Sequence, residues 1–298
     1  MKPNLPVWRS LLYVPANVER FVEKAHTRGA DCIQLDLEDS VPASEKDAAR
    51  QQVAAAATRV RRGGADVVVR INSPMDISVK DLNASIGEDV DGIAVTKAES
   101  VDQIKRIDEI ISRLEATRGV KSGHTRLIAM IESPAAFFQM PAIAAASPRL
   151  AAMNIGGEDF ALETGMEPTE ETLLMPKQQM IFAARSAGIM PLGFIDSVAS
   201  FGDLEAFARM VRRSRQFGFM GAGCIHPGQV PIVNQQYSPS AEEVAYAEKI
   251  VEQDAIHIAA GRASWSLDGK MIDVPVVTRA RALLERQRAI ASREARTT

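Results

Sequence analysis

The chain has 298 residues, 46% of them hydrophobic, enough for a large single core, and its 35 basic against 38 acidic residues leave a formal charge of -3. That balance offers no cationic footprint for nucleic acid or for an anionic membrane surface. Two cysteines are too few for a disulfide scaffold, and no apolar run approaches the ~20 residues needed to span a bilayer, so the expected partners are small molecules in the cytoplasm.

Along the chain, short apolar strand-like runs alternate with amphipathic helical ones, the pattern of a parallel sheet covered by helices. The runs are LLYVP (11–15), CIQLDL (32–37), VVVRI (67–71), GIAVT (92–96), RLIAMI (126–131), LAAMNIG (150–156), PLGFI (191–195) and GFMGAGCI (218–225). Cys32 and Cys224 fall inside two of them and are expected to be buried, reduced thiols. Ser44 with Asp47 reads as a capping box opening an Ala-rich helix that runs to about Arg61, and Pro134 and Pro141 suit first helical turns. After His226 the rhythm changes to a helix from about Ala241 to Ala260, a polar connector (GRASWSLDGK), and a helix beginning near Pro275. The expected architecture is α/β: a (β/α)8 TIM barrel over residues 1–236, with a C-terminal helical lid extension over 237–298.

Charged residues sit at the ends of these runs: Glu38 and Asp39 after the second, Arg70 in the third, Lys97 after the fourth, Glu132 after the fifth, Asp159 after the sixth. In a closed ring of parallel strands all such ends open on one face, so these residues converge on one carboxylate-rich pocket. Alternation places Asp36 and Glu38 on one side of the second strand and Leu35 and Leu37 on the other.

RSLLYVPA (9–16), QLDLEDSVPASEKDAAR (34–50), VVRIN (68–72), MIESPAA (130–136), GGEDFALETG (156–165), CIHPGQV (224–230) and GKMIDVPVVTRARALL (269–284) together resemble the citrate lyase β-subunit family of the HpcH/HpaI aldolase superfamily, near the malyl-CoA and citramalyl-CoA lyases. The resemblance spans nearly the whole chain in the expected order. It implies a Mg2+-dependent carbon–carbon lyase that cleaves or forms a 3-hydroxyacyl-CoA, giving acyl-CoA and a 2-oxo acid, in a homotrimer or homohexamer. Alternatives on the same barrel are a free-acid aldolase or hydrolase, or a citrate lyase subunit acting on an acyl-carrier partner.

Glu132 and Asp159 match the family's metal-binding pair, and Mg2+ favours carboxylate oxygens and retained waters. Plainer alternatives are a helix-capping Glu132 and a turn-forming Asp159. Arg70 is the candidate grip on the oxo acid carboxylate, with an ion pair to Glu38 or Asp39 as the structural alternative. Glu38 and Asp39 would contact metal-bound water or Arg70, and Asp36 would be a possible ion-pair member within the barrel. Lys97 would meet the substrate or form a salt bridge, and Gly156 and Gly157 would let substrate or metal shell approach the backbone. Asp273 matches the residue that in CoA-utilising relatives reaches a neighbouring subunit's site as general acid or base; its plainer role is an N-terminal helix cap. His226 reads as structural and Asp196 as a peripheral contact. Where relatives often carry Gly-Lys before the IHP block this chain has Gly221-Ala222, which puts one cationic contact to a CoA phosphate in doubt.

Overall fold

The computed structural model describes residues 2, 5–196 and 203–297, which form two compact units, Met1–Tyr237 and Ser238–Thr298. In the first, eight strands run parallel: β1 (Ser10–Pro15), β2 (Cys32–Asp36), β3 (Asp66–Ile71), β4 (Gly92–Val95), β5 (Arg126–Ile131), β6 (Leu150–Ile155), β7 (Met190–Pro191) and β8 (Ala222–Cys224). Each neighbours the next in sequence and β8 pairs with β1. A parallel bridge between Leu192 and Gly221, with Gly193 N–H donating to Gly221 C=O, joins the β7 and β8 edges and closes the ring. The (β/α)8 barrel is thus formed.

Helices α1 (Glu19–Ala25), α2 (Lys46–Val60), α3 (Met75–Ser85), α4 (Val101–Arg118), α5 (Pro134–Phe137), α6 (Met140–Ala144), α7 (Gly157–Thr164), α8 (Glu170–Ser186), α9 (Leu204–Phe217) and α10 (Gln229–Gln236) connect and cover the strands. Outward residues such as Ile33, Val69, Ile93 and Leu127 pack under them, while Leu11, Cys32, Val68, Ala94, Ile128, Ala152 and Met190 fill the interior with Trp8. Burial on both faces is why the strands read as unbroken apolar runs rather than alternating ones. Trp8 is fully buried and its indole N–H donates to Asp66 at 2.7 Å, plugging the end at which the strands begin. At that end Arg149 forks onto Glu115 at 2.8 and 2.7 Å, and Glu115 also accepts the Gly123 and Thr125 backbone N–H groups, so the buried charge is fully paired. Cys32 and Cys224 are buried and not disulfide-bonded to each other.

Three local expectations change. The seventh run is a two-residue strand plus one bridge rather than PLGFI, because Gly193 takes φ +137° and turns the chain; a side chain there would press on the Phe219 ring. Ser44 and Asp47 make no capping box: Ala43–Glu45 is a 3-10 turn, and α2 starts at Lys46 without a side-chain cap. In the second unit, α11 (Ala241–Ala259) and α12 (Val274–Thr297) flank a hairpin, β9 (Trp265–Leu267) and β10 (Lys270–Ile272), where a connector was expected. Asp268 and Gly269 both adopt positive φ, the two-residue turn that Asp-Gly favours in hairpins. Ala247, Ile250, Leu267, Ile272, Val277, Ala280 and Leu284 make this unit's core. Among the described residues no helix is long and apolar enough to cross a membrane.

Ring closure depends on Gly221, where an added Cβ would stand 1.8 Å from the Trp8 carbonyl oxygen. Gly221→Ala should therefore cost about 3 kcal/mol or more in chemical denaturation, while Gly87→Ala, with open space around it, should be near neutral.

Candidate active site

The inward-facing register of the barrel changes character along its axis. Val68 precedes Arg70, Cys32 precedes Gln34 and Asp36, and Ile128 and Met130 precede Glu132, so apolar residues fill the bottom and polar ones the top. They open into a cavity of about 1050 Å³ at the C-terminal ends of the strands, bounded also by α1, α7 and α8. Size and place suit a ligand of cofactor dimensions.

Arg70 organises one side. Its Nε and Nη2 donate to the two oxygens of Asp36, each at 2.7 Å, and its Nη1 meets Glu38 at 3.0 Å and Asp39 at 3.2 Å. The guanidinium also lies 5.1 Å above the Tyr13 ring. Burial alone would raise the Asp36 carboxyl, but the bonds and charge of Arg70 outweigh it and hold Asp36 below the usual carboxylate range. Glu38 goes the other way, pushed up to about 7 by burial and by Asp39 beside it. The bidentate face of Arg70 thus belongs to Asp36, and the Nη1 edge is shared among weaker partners.

Glu132 follows β5 and is 4% exposed. Its Oε2 accepts the Lys97 backbone N–H at 3.0 Å, and Lys97 adopts φ +46°, an uncommon state for a residue with a side chain. Lys97 therefore contributes its main chain here, while its side chain is exposed. Gly156, following β6, gives Glu132 room, since a Cβ at that position would lie 2.7 Å from the Glu132 Cγ. Asp159 is a first-turn residue of α7 rather than a turn residue after the glycines, near the positive end of the helix dipole. Burial first, then the charges of Asp159 and Glu38, push the Glu132 carboxyl up to about 8. Two carboxylates in a solvent-accessible cavity, with the charge of Asp159 adding to the cost of ionising Glu132, fit a hard divalent cation that also keeps several waters.

Other cavity residues escaped the sequence reading. Arg20, Lys24 and Arg28 are exposed cations at the rim, four residues apart on and just after α1. That i, i+4, i+8 stripe is legible in retrospect, but attention to strand ends passes over it. Lys177 of α8 is buried, which pulls its ammonium down to about 8, and it donates to the Asp196 carbonyl at 3.0 Å. Asn154 of β6 also lines the cavity. Of the expected residues, Arg70, Glu132, Asp159, Gly157, Asp39, Asp196 and His226 line the same space, and Glu38 joins through Arg70. Asp273 lies in the second unit, where its Oδ1 accepts the Val276 N–H at 3.3 Å at the start of α12.

The family model described as HpcH/HpaI aldolase/citrate lyase matches residues 9–227. The chain is 34% identical over 285 residues to the citrate lyase subunit beta of Haemophilus influenzae, covering 94% of this chain and 97% of that one. It is 29% identical to the L-malyl-CoA/beta-methylmalyl-CoA lyase of Cereibacter sphaeroides, covering 98% and 96%. The crystal structure of CitE from Mycobacterium tuberculosis in complex with magnesium, acetoacetate and coenzyme A superposes with a TM-score of 0.73 at 27% identity, covering 95% of this chain and 98% of that one.

A carboxyl whose folded-state pKa exceeds its unfolded value costs stability once the pH passes the unfolded value, and the cost grows until the folded value is reached. Without divalent cation the protein should therefore lose stability as pH rises from the ordinary 4.5 toward about 8. Glu132→Gln should flatten that slope and raise stability at pH 8 by on the order of 2 kcal/mol. Denaturant titrations across pH in EDTA check this.

Proposed function

This chain belongs to the HpcH/HpaI aldolase/citrate lyase family and is a carbon–carbon lyase, and from that premise we propose that it cleaves or forms a 3-hydroxyacyl-CoA of the malyl-CoA or citramalyl-CoA type at the mouth of its barrel. The products of cleavage are acyl-CoA and a 2-oxo acid. The observation that carries this reading is that one cavity brings together the buried Glu132, Asp159 and Arg70 with a rim of Arg20, Lys24 and Arg28.

Glu132 and Asp159 would hold Mg2+, which when bound supplies Lewis acidity at the oxygens of the oxo acid. Arg70 offers its Nη1 edge to the oxo acid carboxylate, which displaces Asp39 and a readily protonated Glu38, while Asp36 keeps the guanidinium in place. Glu38 and Asp39 return to Arg70 when the acid leaves. Lys97 acts through its main chain, fixing the Glu132 rotamer, and Gly157 leaves the backbone open to the substrate. Arg20, Lys24 and Arg28 take the phosphates of coenzyme A, a role for which Gly221-Ala222 supplies no lysine. In the cleavage direction the substrate hydroxyl loses its proton as the C–C bond breaks. The bond's electron pair passes to the acyl α-carbon as an enolate, which is then protonated to acyl-CoA. Asp273 of a neighbouring copy in a homotrimer or homohexamer handles that proton.

A second reading, a citrate lyase subunit acting on an acyl-carrier partner, is favoured by the 34% identity to the Haemophilus influenzae subunit. Turnover of free CoA thioesters by the purified chain separates the two.

Asp159→Asn should lower turnover by about 100-fold or more, and EDTA should abolish wild-type activity reversibly on Mg2+ readdition. Full activity of Asp159→Asn in excess EDTA would overturn the metal assignment. Asp273→Ala and Arg70→Ala chains, each inactive alone, should regain part of the activity when mixed and reassembled. No rescue, in hetero-oligomers verified by mass, would count against a shared site.

A further inference from the structure

One polar group in the cavity serves neither the barrel nor the chemistry just described. Asn154 sits on β6, opposite Met130 of β5, and lines the cavity. Its strand position puts it on the same face as Gly156 and one pleat deeper, just as Met130 lies one pleat below Glu132. Asn154 therefore lies one pleat below the level of Glu132, on the neighbouring strand. The layer below it is apolar, with Ile128, Ala152 and Met190. Its Oδ1 is buried and has no hydrogen-bond partner. Buried polar groups are nearly always satisfied, and a bare amide at the floor of an open cavity is one that a ligand completes.

We propose that Asn154 selects the 2-oxo acid by hydrogen-bonding a hydroxyl carried on its third carbon, so that within the 3-hydroxyacyl-CoA class the preferred acid is a 3-hydroxy-2-oxo acid and the thioester a hydroxylated relative of citramalyl-CoA, in place of citramalyl-CoA or malyl-CoA themselves, which yield pyruvate and glyoxylate. This rests on the lyase reading of the same cavity. With the carboxylate assigned to Arg70 and the oxo group to the Glu132–Asp159 side, the remaining substituent is the part free to point down the barrel axis, onto Asn154. A methyl group or a hydrogen there would be served by an apolar residue and would leave the amide bare. A hydroxyl both donates and accepts, so it satisfies whichever end of the amide faces it. A second carboxylate would only accept, and would add negative charge deep in a cavity already lined by Asp36, Asp39, Glu132 and Asp159. A site built to hydrogen-bond a substrate hydroxyl rejects the analogue lacking it far more strongly than an apolar pocket rejects an extra one.

The test is a panel of oxo acids condensed with acetyl-CoA or propionyl-CoA, with binding of each acid followed by calorimetry in Mg2+. Wild type should favour hydroxypyruvate over pyruvate by roughly tenfold or more in kcat/KM and in Kd. Asn154→Leu, of similar shape, should erase that preference by weakening hydroxypyruvate alone, with pyruvate within about twofold; Asn154→Ser should keep part of it. Thermal melts of both variants exclude a folding defect. Equal use of hydroxypyruvate and pyruvate by wild type, a preference for oxaloacetate over hydroxypyruvate, or an equal loss on all acids in Asn154→Leu would each overturn the proposal. Should no acid condense, the lyase reading of the substrate fails, and the calorimetric ranking of hydroxypyruvate against pyruvate, in wild type and Asn154→Leu, still decides the role of Asn154.

Discussion

The chemistry of the barrel mouth depends on how many carboxylates one guanidinium can keep ionised. Arg70 gives two hydrogen bonds to Asp36 and shares what remains between Glu38 and Asp39. Asp36 is held below the usual range as a result, whereas Glu38 is raised to about 7 and Glu132 to about 8. The attraction of Arg70 is the smallest of the influences on Glu132, behind burial, Asp159, Glu38 and the Lys97 N–H. The side of the cavity that holds Glu132 and Asp159 is short of positive charge. Such a place receives a cation more readily than a compensated ion pair would, because no existing partner must be displaced.

The opposite end of the same barrel shows the contrast. There Arg149 pairs with Glu115 and Asp108, Arg9 forks onto Asp31, and Glu115 collects further backbone donors. Those groups are buried and complete, so they hold geometry and leave nothing for a ligand. At the mouth, Lys97 is held in a left-handed conformation, Glu132 occupies the space that a side chain at position 156 would need, and the Asn154 Oδ1 is without a hydrogen-bond partner. Unfavourable features gather where function needs open valences, and the closed bottom supplies the rigidity that keeps them in place.

Much of this was legible in the residues themselves. An inward-facing strand that turns polar at its last position marks the mouth of a parallel barrel, and Arg70, Glu132 and the Asp36–Asp39 segment all follow that rule. Asp159 was found for the right neighbourhood but on the wrong element, since a Gly-Gly pair reads as a turn while here it opens α7. The rim cations were missed because they belong to a helix, and Asn154 because a single polar residue inside LAAMNIG looks like a strand interior. The hairpin of the second unit was announced by Asp268-Gly269 but obscured by its polar flanks. Register and neighbours, which decide whether a polar group is satisfied, are tertiary facts that no local pattern carries.

Asp273 shows how a structural role and a proposed catalytic one can share a side chain. As the cap of α12 it uses Oδ1 to accept the Val276 N–H, and its carbonyl accepts that of Val277. The cap fixes the side-chain rotamer and sets it at the positive end of a helix of 24 residues. It also leaves Oδ2 for a proton in transit. A free loop carboxylate would have to be ordered each time it acted, at a cost in entropy, whereas a capping one is already oriented. Helix capping thus holds the Asp273 carboxylate in one orientation, and removing the side chain would alter α12 as well as the proton path proposed for it.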